Sequence, residues 1–180
     1  HIFHRDMFAH YLRWSFVLNK SKIGDKILDI GCGSGNLYEV LYRNRYKPGR
    51  FIGIDYRKQT IENNKKKFPK VEWIVKDIVK DKLPVDEWNT VTSFETIEHI
   101  GKSNAGKFLD NIKSIMNKDT LFLISTPNFN GEAAGNHTFD CGDGNGIIPQ
   151  ELTYNEMKDL LEERFTITKS YGTFCSQADI

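Results

Sequence analysis

The sequence predicts an α/β fold: a doubly wound, mostly parallel sheet of six to seven strands with helices on both faces. Three observations predict it. Short apolar runs rich in Ile, Val and Phe alternate with longer amphipathic stretches, the rhythm of βα units. The first run leads through a glycine-rich loop into a helix. The next run ends on Asp55, and Asp77 follows the one after it.

Strands are predicted over residues 26–30, 51–55, 71–75, 90–95, 120–125 and 165–171, and helices over 37–44, 59–68, 105–116 and 154–163. In the third helix Phe108, Ile112 and Ile115 recur at helical spacing, with Lys107, Asp110 and Lys113 left for solvent. The fourth repeats the pattern with Met157, Leu160 and Leu161. Thr153 and Glu156 stand three apart ahead of it, as in a capping box. Residues 1–22 are expected to form a separate helical segment, with Met7, Phe8, Tyr11, Leu12, Trp14, Phe16 and Val17 crowded into 6–18. These side chains are expected to pack on the sheet; the alternative is that they wall an acceptor pocket. Residues 23–180 are expected to form a single α/β domain.

Composition narrows the class. A chain of 180 residues, 39% of them hydrophobic, is expected to fold around one core. A formal net charge of +1 with 27% charged residues argues against a protein that coats a polyanion. The run Lys65-Lys66-Lys67, with Lys58 and Lys70, reads as a solvated helix face. No apolar run approaches the roughly 20 residues that span a bilayer, so no membrane insertion is expected. The start, from His1 to Asp6, lacks an initiator Met and the order of a signal peptide. Cys32, Cys141 and Cys175 have no metal-ligand spacing, so a reduced, cytoplasmic protein is expected.

The strongest local signal is Asp29-Ile30-Gly31-Cys32-Gly33-Ser34-Gly35-Asn36. Three alternate glycines after a strand permit a sharp turn and close approach of a ligand to the backbone. The helix that follows presents N–H groups there. Asp29 suits a cationic ligand and would repel a pyrophosphate. Asp55 ends the next predicted strand, 24 positions after Gly31, where a carboxylate accepts hydrogen bonds from ribose hydroxyls. Asp77 follows the third strand, placed to meet an adenine amino group. A dinucleotide site needs G-x-G-x-x-G, and here Asn36 stands where the last glycine belongs.

On these residues the chain resembles the class I S-adenosylmethionine-dependent methyltransferases, from about Ile23 to Tyr171. The resemblance implies a Rossmann-like fold and S-adenosylmethionine as the methyl donor. It implies that Gly31, Gly33 and Gly35 line the methionine and ribose part and that Asp29 holds the amino group. It further implies that Asp55 and Tyr56 bind the ribose, that Asp77 and Ile78 flank the adenine, and that Glu95 borders the cofactor. Family members usually close the sheet with a reversed hairpin. Gly172-Thr173-Phe174-Cys175 is a poor final strand, so that strand is expected to be short, missing or beyond Ile180.

In the family the fourth strand end, Ser93-Phe94-Glu95-Thr96-Ile97-Glu98-His99, faces the transferring methyl group. Glu95, Glu98 and His99 are therefore the catalytic candidates. His99 has the intrinsic pKa of a base for a hydroxyl acceptor. If a helix starts at Glu95, positions i, i+3 and i+4 share a face, and the three side chains could hold Mg²⁺ or Mn²⁺. The Glu-x-x-Glu-His pattern resembles two metal-using groups of O-methyltransferases. One modifies the 3′-terminal ribose of small RNAs, and the other acts in ubiquinone biosynthesis. The first group adds a distant histidine, for which His137 is the counterpart. The same strand ending also occurs in members without a metal, many of which methylate sugars. Residues 128–150, glycine-rich and aperiodic, are expected to form an acceptor-side loop. The expected activity is O-methylation of a small molecule, a glycan or a biosynthetic precursor. A metal-assisted RNA-ribose methyltransferase is the alternative, and a non-catalytic cofactor-binding partner domain the remote one.

Overall fold

The computed structural model describes residues 5–129 and 151–172. The elements run α1 (Arg5–Lys20), β1 (Lys26–Ile30), α2 (Asn36–Arg43), β2 (Arg50–Asp55), α3 (Lys58–Lys67), β3 (Glu72–Val75), β4 (Thr90–Phe94), a 3-10 turn (Ile97–His99), α4 (Lys102–Lys113), β5 (Leu121–Ser125) and α5 (Tyr154–Glu162). The strands lie in the order β3-β2-β1-β4-β5, and every pairing is parallel. The chain winds outward from β1 to β3 and then returns to the other side of β1. That reversal puts a crevice at the carboxyl ends of β1 and β4, where open α/β sheets bind ligands.

Strand alternation sorts the side chains into two cores. Ile27 and Phe51 join Leu37 and Leu41 of α2, Ile61 of α3, and Trp14 and Val17 of α1. Leu28, Ile30, Ile52 and Ile54 face the other way, against Phe108, Leu109 and Ile112 of α4. Burying each such side chain contributes about 1.5–3 kcal/mol. The same alternation places Asp29 and Asp55 on the α1–α3 side, at the top of the sheet. The capping box of α5 forms as the sequence indicates: Glu156 N–H donates to the Thr153 hydroxyl, and Thr153 N–H donates to the Glu156 carboxylate.

The structure differs from expectation at three places. Among the described residues the sheet has five strands, and residues 165–172 add none. Phe165 packs on Phe122, with ring centres 5.2 Å apart, and Tyr171 packs on Phe16 at 4.9 Å. The polar residues between these anchors stay exposed and outside the ladder. The fourth strand stops at Phe94, because Glu95 adopts a left-handed backbone with φ 50°. The third predicted helix begins three residues earlier, at Lys102, after Gly101 with φ 81°. Among the described residues no helix is long and apolar enough to cross a membrane.

Gly53 fixes how β2 and β3 pack. A Cβ at this position would lie 2.2 Å from the Trp73 ring. Gly53→Ala is therefore expected to destabilise the chain by about 1–3 kcal/mol through overpacking. Urea unfolding, with fluorescence reporting on Trp73, measures it.

Candidate functional site

The glycine loop is pinned before any ligand arrives. The N–H groups of Gly31 and Cys32 both donate to the Ile54 carbonyl, at 2.9 and 2.8 Å, tying the end of β1 to the end of β2. Gly33 N–H donates to the Asp55 carboxylate at 3.0 Å, and the Asn64 side chain donates to the Gly33 carbonyl at 2.7 Å. All three loop glycines are left-handed, with φ of 76°, 50° and 74°. Their surroundings differ. A Cβ on Gly31 would strike the Thr96 side chain at 2.1 Å, and one on Gly35 would meet Trp73 at 2.9 Å. At Gly33 the nearest atom is a terminal Arg57 nitrogen at 3.9 Å. Gly33 thus leaves room for a ligand, while Gly31 and Gly35 leave room for protein. Gly35 offers no side-chain cap to α2.

Two acids flank this loop out of water. Asp29 is 5% exposed and Asp55 4%. Asp29 accepts a hydrogen bond from the Thr92 hydroxyl at 2.8 Å. Burial pushes its carboxyl from 3.8 up to about 7, against the downward pull of that hydroxyl and with a further push from Asp55. Asp55 is held by Gly33 N–H, by Arg57 N–H at 2.9 Å and by the Arg57 guanidinium at 3.1 and 3.2 Å. Cys32, buried between them, has its thiol pushed well up by desolvation, which makes it unreactive. Tyr56 projects outward at 69% exposure. Asp77 caps a turn, accepting from Val79 and Lys80 N–H at 3.0 and 3.2 Å and pairing with the Lys80 ammonium at 3.0 Å. Ile78 is a core residue at 7% exposure.

At the end of β4 the structure corrects one expectation. Glu95 is left-handed and Thr96 non-helical, so a single helical face does not carry Glu95, Glu98 and His99. Instead Glu95 accepts from the Ser125 hydroxyl at 2.9 Å and pairs with Arg13 at 3.2 Å. Glu98, 2% exposed, accepts from the Thr126 hydroxyl at 3.0 Å. Burial and the nearby Glu95 push its carboxyl up to about 8. The His99 side chain is 41% exposed, and its Nε2 lies 3.9 Å from Glu98 Oε1. Among the described residues no group of three or more His, Cys, Asp or Glu is arranged to hold a metal ion. A divalent cation on Glu95 would also sit beside the Arg13 guanidinium, which repels it. His137 and most of the 128–150 loop lie outside the described residues.

Arg13, Thr92, Thr96 and Thr126 are the site residues that sequence reasoning missed. Arg13 had a signal, as a lone cation in an aromatic stretch. Thr92 had another, as a hydroxyl in a strand that is otherwise a core element. Arg13 Nη1 also lies 3.1 Å from the His10 ring, and its pairing with Glu95 ties α1 to the end of β4.

Residues 3–164 match the family described as methyltransferase domain. A probable S-adenosylmethionine-dependent methyltransferase of Mycolicibacterium smegmatis is 26% identical over 155 residues, covering 84% of this chain and 56% of that protein. A ubiquinone biosynthesis O-methyltransferase of Bradyrhizobium diazoefficiens is 27% identical over 172 residues, covering 85% and 63%. The chain thus spans less than two thirds of either relative. A crystal structure of a TehB-like SAM-dependent methyltransferase from Corynebacterium glutamicum shares the fold, with a TM-score of 0.63 at 18% identity over 89% of this chain and 82% of that one. The fold, the loop and the flanking acids define a class I S-adenosylmethionine-dependent methyltransferase domain. This chain belongs to that family.

Gly33→Ala is expected to cost only the strain of a left-handed alanine, about 1–2 kcal/mol. Gly31→Ala adds a collision with Thr96 and is expected to cost more. Comparing the two urea midpoints checks the order.

Proposed function

We propose that this chain binds S-adenosylmethionine across the ends of β1 and β2 and transfers its methyl group to an oxygen of a small molecule, sugar or biosynthetic precursor. One observation carries the reading: two buried carboxylates flank a left-handed loop whose Gly33 is open to a ligand. The ammonium of the methionine part suits Asp29, which Thr92 already orients. The ribose hydroxyls suit Asp55, and Asp77 at the end of β3 suits the adenine amino group. When bound, the cofactor supplies an electrophilic methyl group. The acceptor oxygen bonds to the methyl carbon as the carbon–sulfur bond breaks, and the acceptor's proton passes to a base. His99 fills that role in this reading: it is accessible, next to the crevice, and has a side chain of suitable intrinsic basicity. Glu98 beside it stays largely protonated at neutral pH and adds no second anion. A ubiquinone biosynthesis O-methyltransferase among the relatives supports an oxygen acceptor, and an (S)-coclaurine N-methyltransferase of Thalictrum flavum, 33% identical over 109 residues, supports a nitrogen one.

Calorimetry tests the cofactor. S-adenosylmethionine is expected to bind, and Asp55→Ala to weaken binding by at least tenfold; no binding, or indifference to Asp55→Ala, overturns the assignment. The ammonium needs Asp29 ionised, and Asp29 in the free chain holds its proton up to about pH 7. Affinity is therefore expected to rise with pH up to about 7, by at most about tenfold per unit, with proton release on binding. Titration in two buffers of different ionisation enthalpy reads that proton.

A methyl-transfer screen with labelled donor tests the acceptor. Transfer to a hydroxyl compound is expected, with kcat reduced at least tenfold in His99→Ala and undiminished by EDTA. Loss on chelation, restored by Mg²⁺ or Mn²⁺ and absent in Glu98→Ala, would establish the ion-assisted alternative instead. Cofactor binding without transfer to any acceptor class would favour the partner-domain reading.

A further inference from the structure

A second concave surface lies at the opposite end of the sheet. The loop between α2 and β2, the turn before β3 and Ile23 enclose an open groove of about 1060 Å³. Its wall is aromatic. Tyr38 packs on Phe51 at 5.0 Å between ring centres and lies nearly parallel to Tyr42 at 6.5 Å. Tyr42 also meets the Phe68 ring at 6.1 Å between centres, yet at 65% exposure it keeps ring surface open to solvent. The rim is cationic: Arg45, Lys47 and Lys70 line it, and all three are exposed. Among the described residues none of the three has a carboxylate partner. The lining's one acid, Glu72, is paired with Arg50 at 2.9 Å, and Arg50 also holds Asp86 at 2.5 Å. Arg43 is paired with Glu39. The groove therefore keeps three uncommitted positive charges in a chain whose net charge is only +1. Lys65 and Lys66 lie at the end of α3, shortly before Lys70, while Lys67 is paired with Glu39.

The loop is held in shape. A Cβ on Gly49 would lie 2.2 Å from the Gly24 carbonyl, so the segments at 22–25 and 45–49 are in backbone contact. Gly24 N–H donates to the Lys47 carbonyl, and Gly49 N–H to the Asp25 carbonyl. Arg45 itself is fixed in a left-handed conformation with φ 58°, and its N–H donates to the Tyr42 carbonyl.

We propose that this groove binds a single strand of nucleic acid, with a base stacked on Tyr42 and phosphates on Arg45, Lys47 and Lys70. Aromatic faces between exposed cations are the combination that single strands use, because every base has a π-face and every linkage a negative charge. A duplex hides its base faces and offers only phosphates. β2 runs from Arg50 at the groove to Asp55 at the cofactor crevice, a span of about 17 Å. The two surfaces are therefore separate, and a strand of several nucleotides is long enough to reach both.

The test is fluorescence anisotropy with a labelled single-stranded RNA of about 12 nucleotides, over about 50–200 mM salt. The chain is expected to bind it more tightly than the matching duplex. Tyr42→Ala is expected to weaken binding about five- to a hundredfold. The triple variant Arg45→Glu, Lys47→Glu, Lys70→Glu is expected to lower the salt slope by about 2, at about 0.7 per phosphate. Both variants are expected to keep wild-type calorimetry with S-adenosylmethionine, and Asp55→Ala to keep RNA binding. No RNA binding at about 50 mM salt overturns the proposal. So does equal affinity for duplex or for phosphatidylserine vesicles, or an affinity that neither variant changes while both still bind the cofactor.

Discussion

The two hydrogen bonds from Gly31 and Cys32 to the Ile54 carbonyl hold the rest of the site together. A parallel sheet has no ladder beyond its last paired residues, so strand ends are free to splay. Here one carbonyl at the end of β2 gathers two donors from the loop that leaves β1. Asp55, the next residue, then takes a third donor from Gly33. Three consecutive loop amides are thus satisfied by two consecutive residues of the neighbouring strand. The crevice is shaped by backbone before any ligand enters, which is how a binding site avoids the entropic cost of ordering a loop.

That arrangement crowds acids into a dry place. Asp29 sits in one row of the sheet with Thr92 on one side and Gly53 on the other. Trp73 pairs with Gly53 in the next strand and lies over it. Burial desolvates Asp29, and the Thr92 hydroxyl offsets part of the loss. From the ordinary value of 3.8 to about 7, the folded chain keeps a proton on Asp29 that the unfolded chain releases. Stability therefore falls as pH rises through that window, and a cationic ligand that keeps Asp29 ionised removes that dependence. Glu98 stores the same kind of penalty on the acceptor side. Both carboxyls lower the stability of the empty fold in a way that a bound partner can recover.

Much of this was legible in the sequence. Alternating apolar runs and helical spacing located five strands and five helices to within a few residues, because each element buries one face. The glycine triplet and the acids at 29 and 55 come together at the carboxyl ends of β1 and β2, because each lies in or directly after its strand's last residues. What was not legible depends on contacts between segments distant in sequence. The partnership of Arg13 with Glu95 needs α1 to reach the end of β4, and nothing in local spacing says that it does. The assumed helix at Glu95 failed because a left-handed residue there is set by Ser125 and Arg13, not by propensity. Residues 165–171 have the composition of a strand but few apolar side chains to bury. The role of the glycines was only partly legible. Their pattern announced an open loop, yet two of the three vacancies are filled by Thr96 and Trp73.

The contact between Gly53 and Trp73 has a consequence for how such a sequence can drift. The ring occupies the volume that a side chain at 53 would need, so the two positions share one allotment of space. A lineage that acquires a larger residue at 53 must shrink the residue at 73 nearly at once, and the reverse path is equally constrained. Trp73 also abuts Gly35. A smaller side chain at 73 would therefore remove the support beneath the helix that follows the glycine loop. Three sites spread over 39 positions of chain are thus expected to change together or not at all, as a correlated set that composition alone would never reveal.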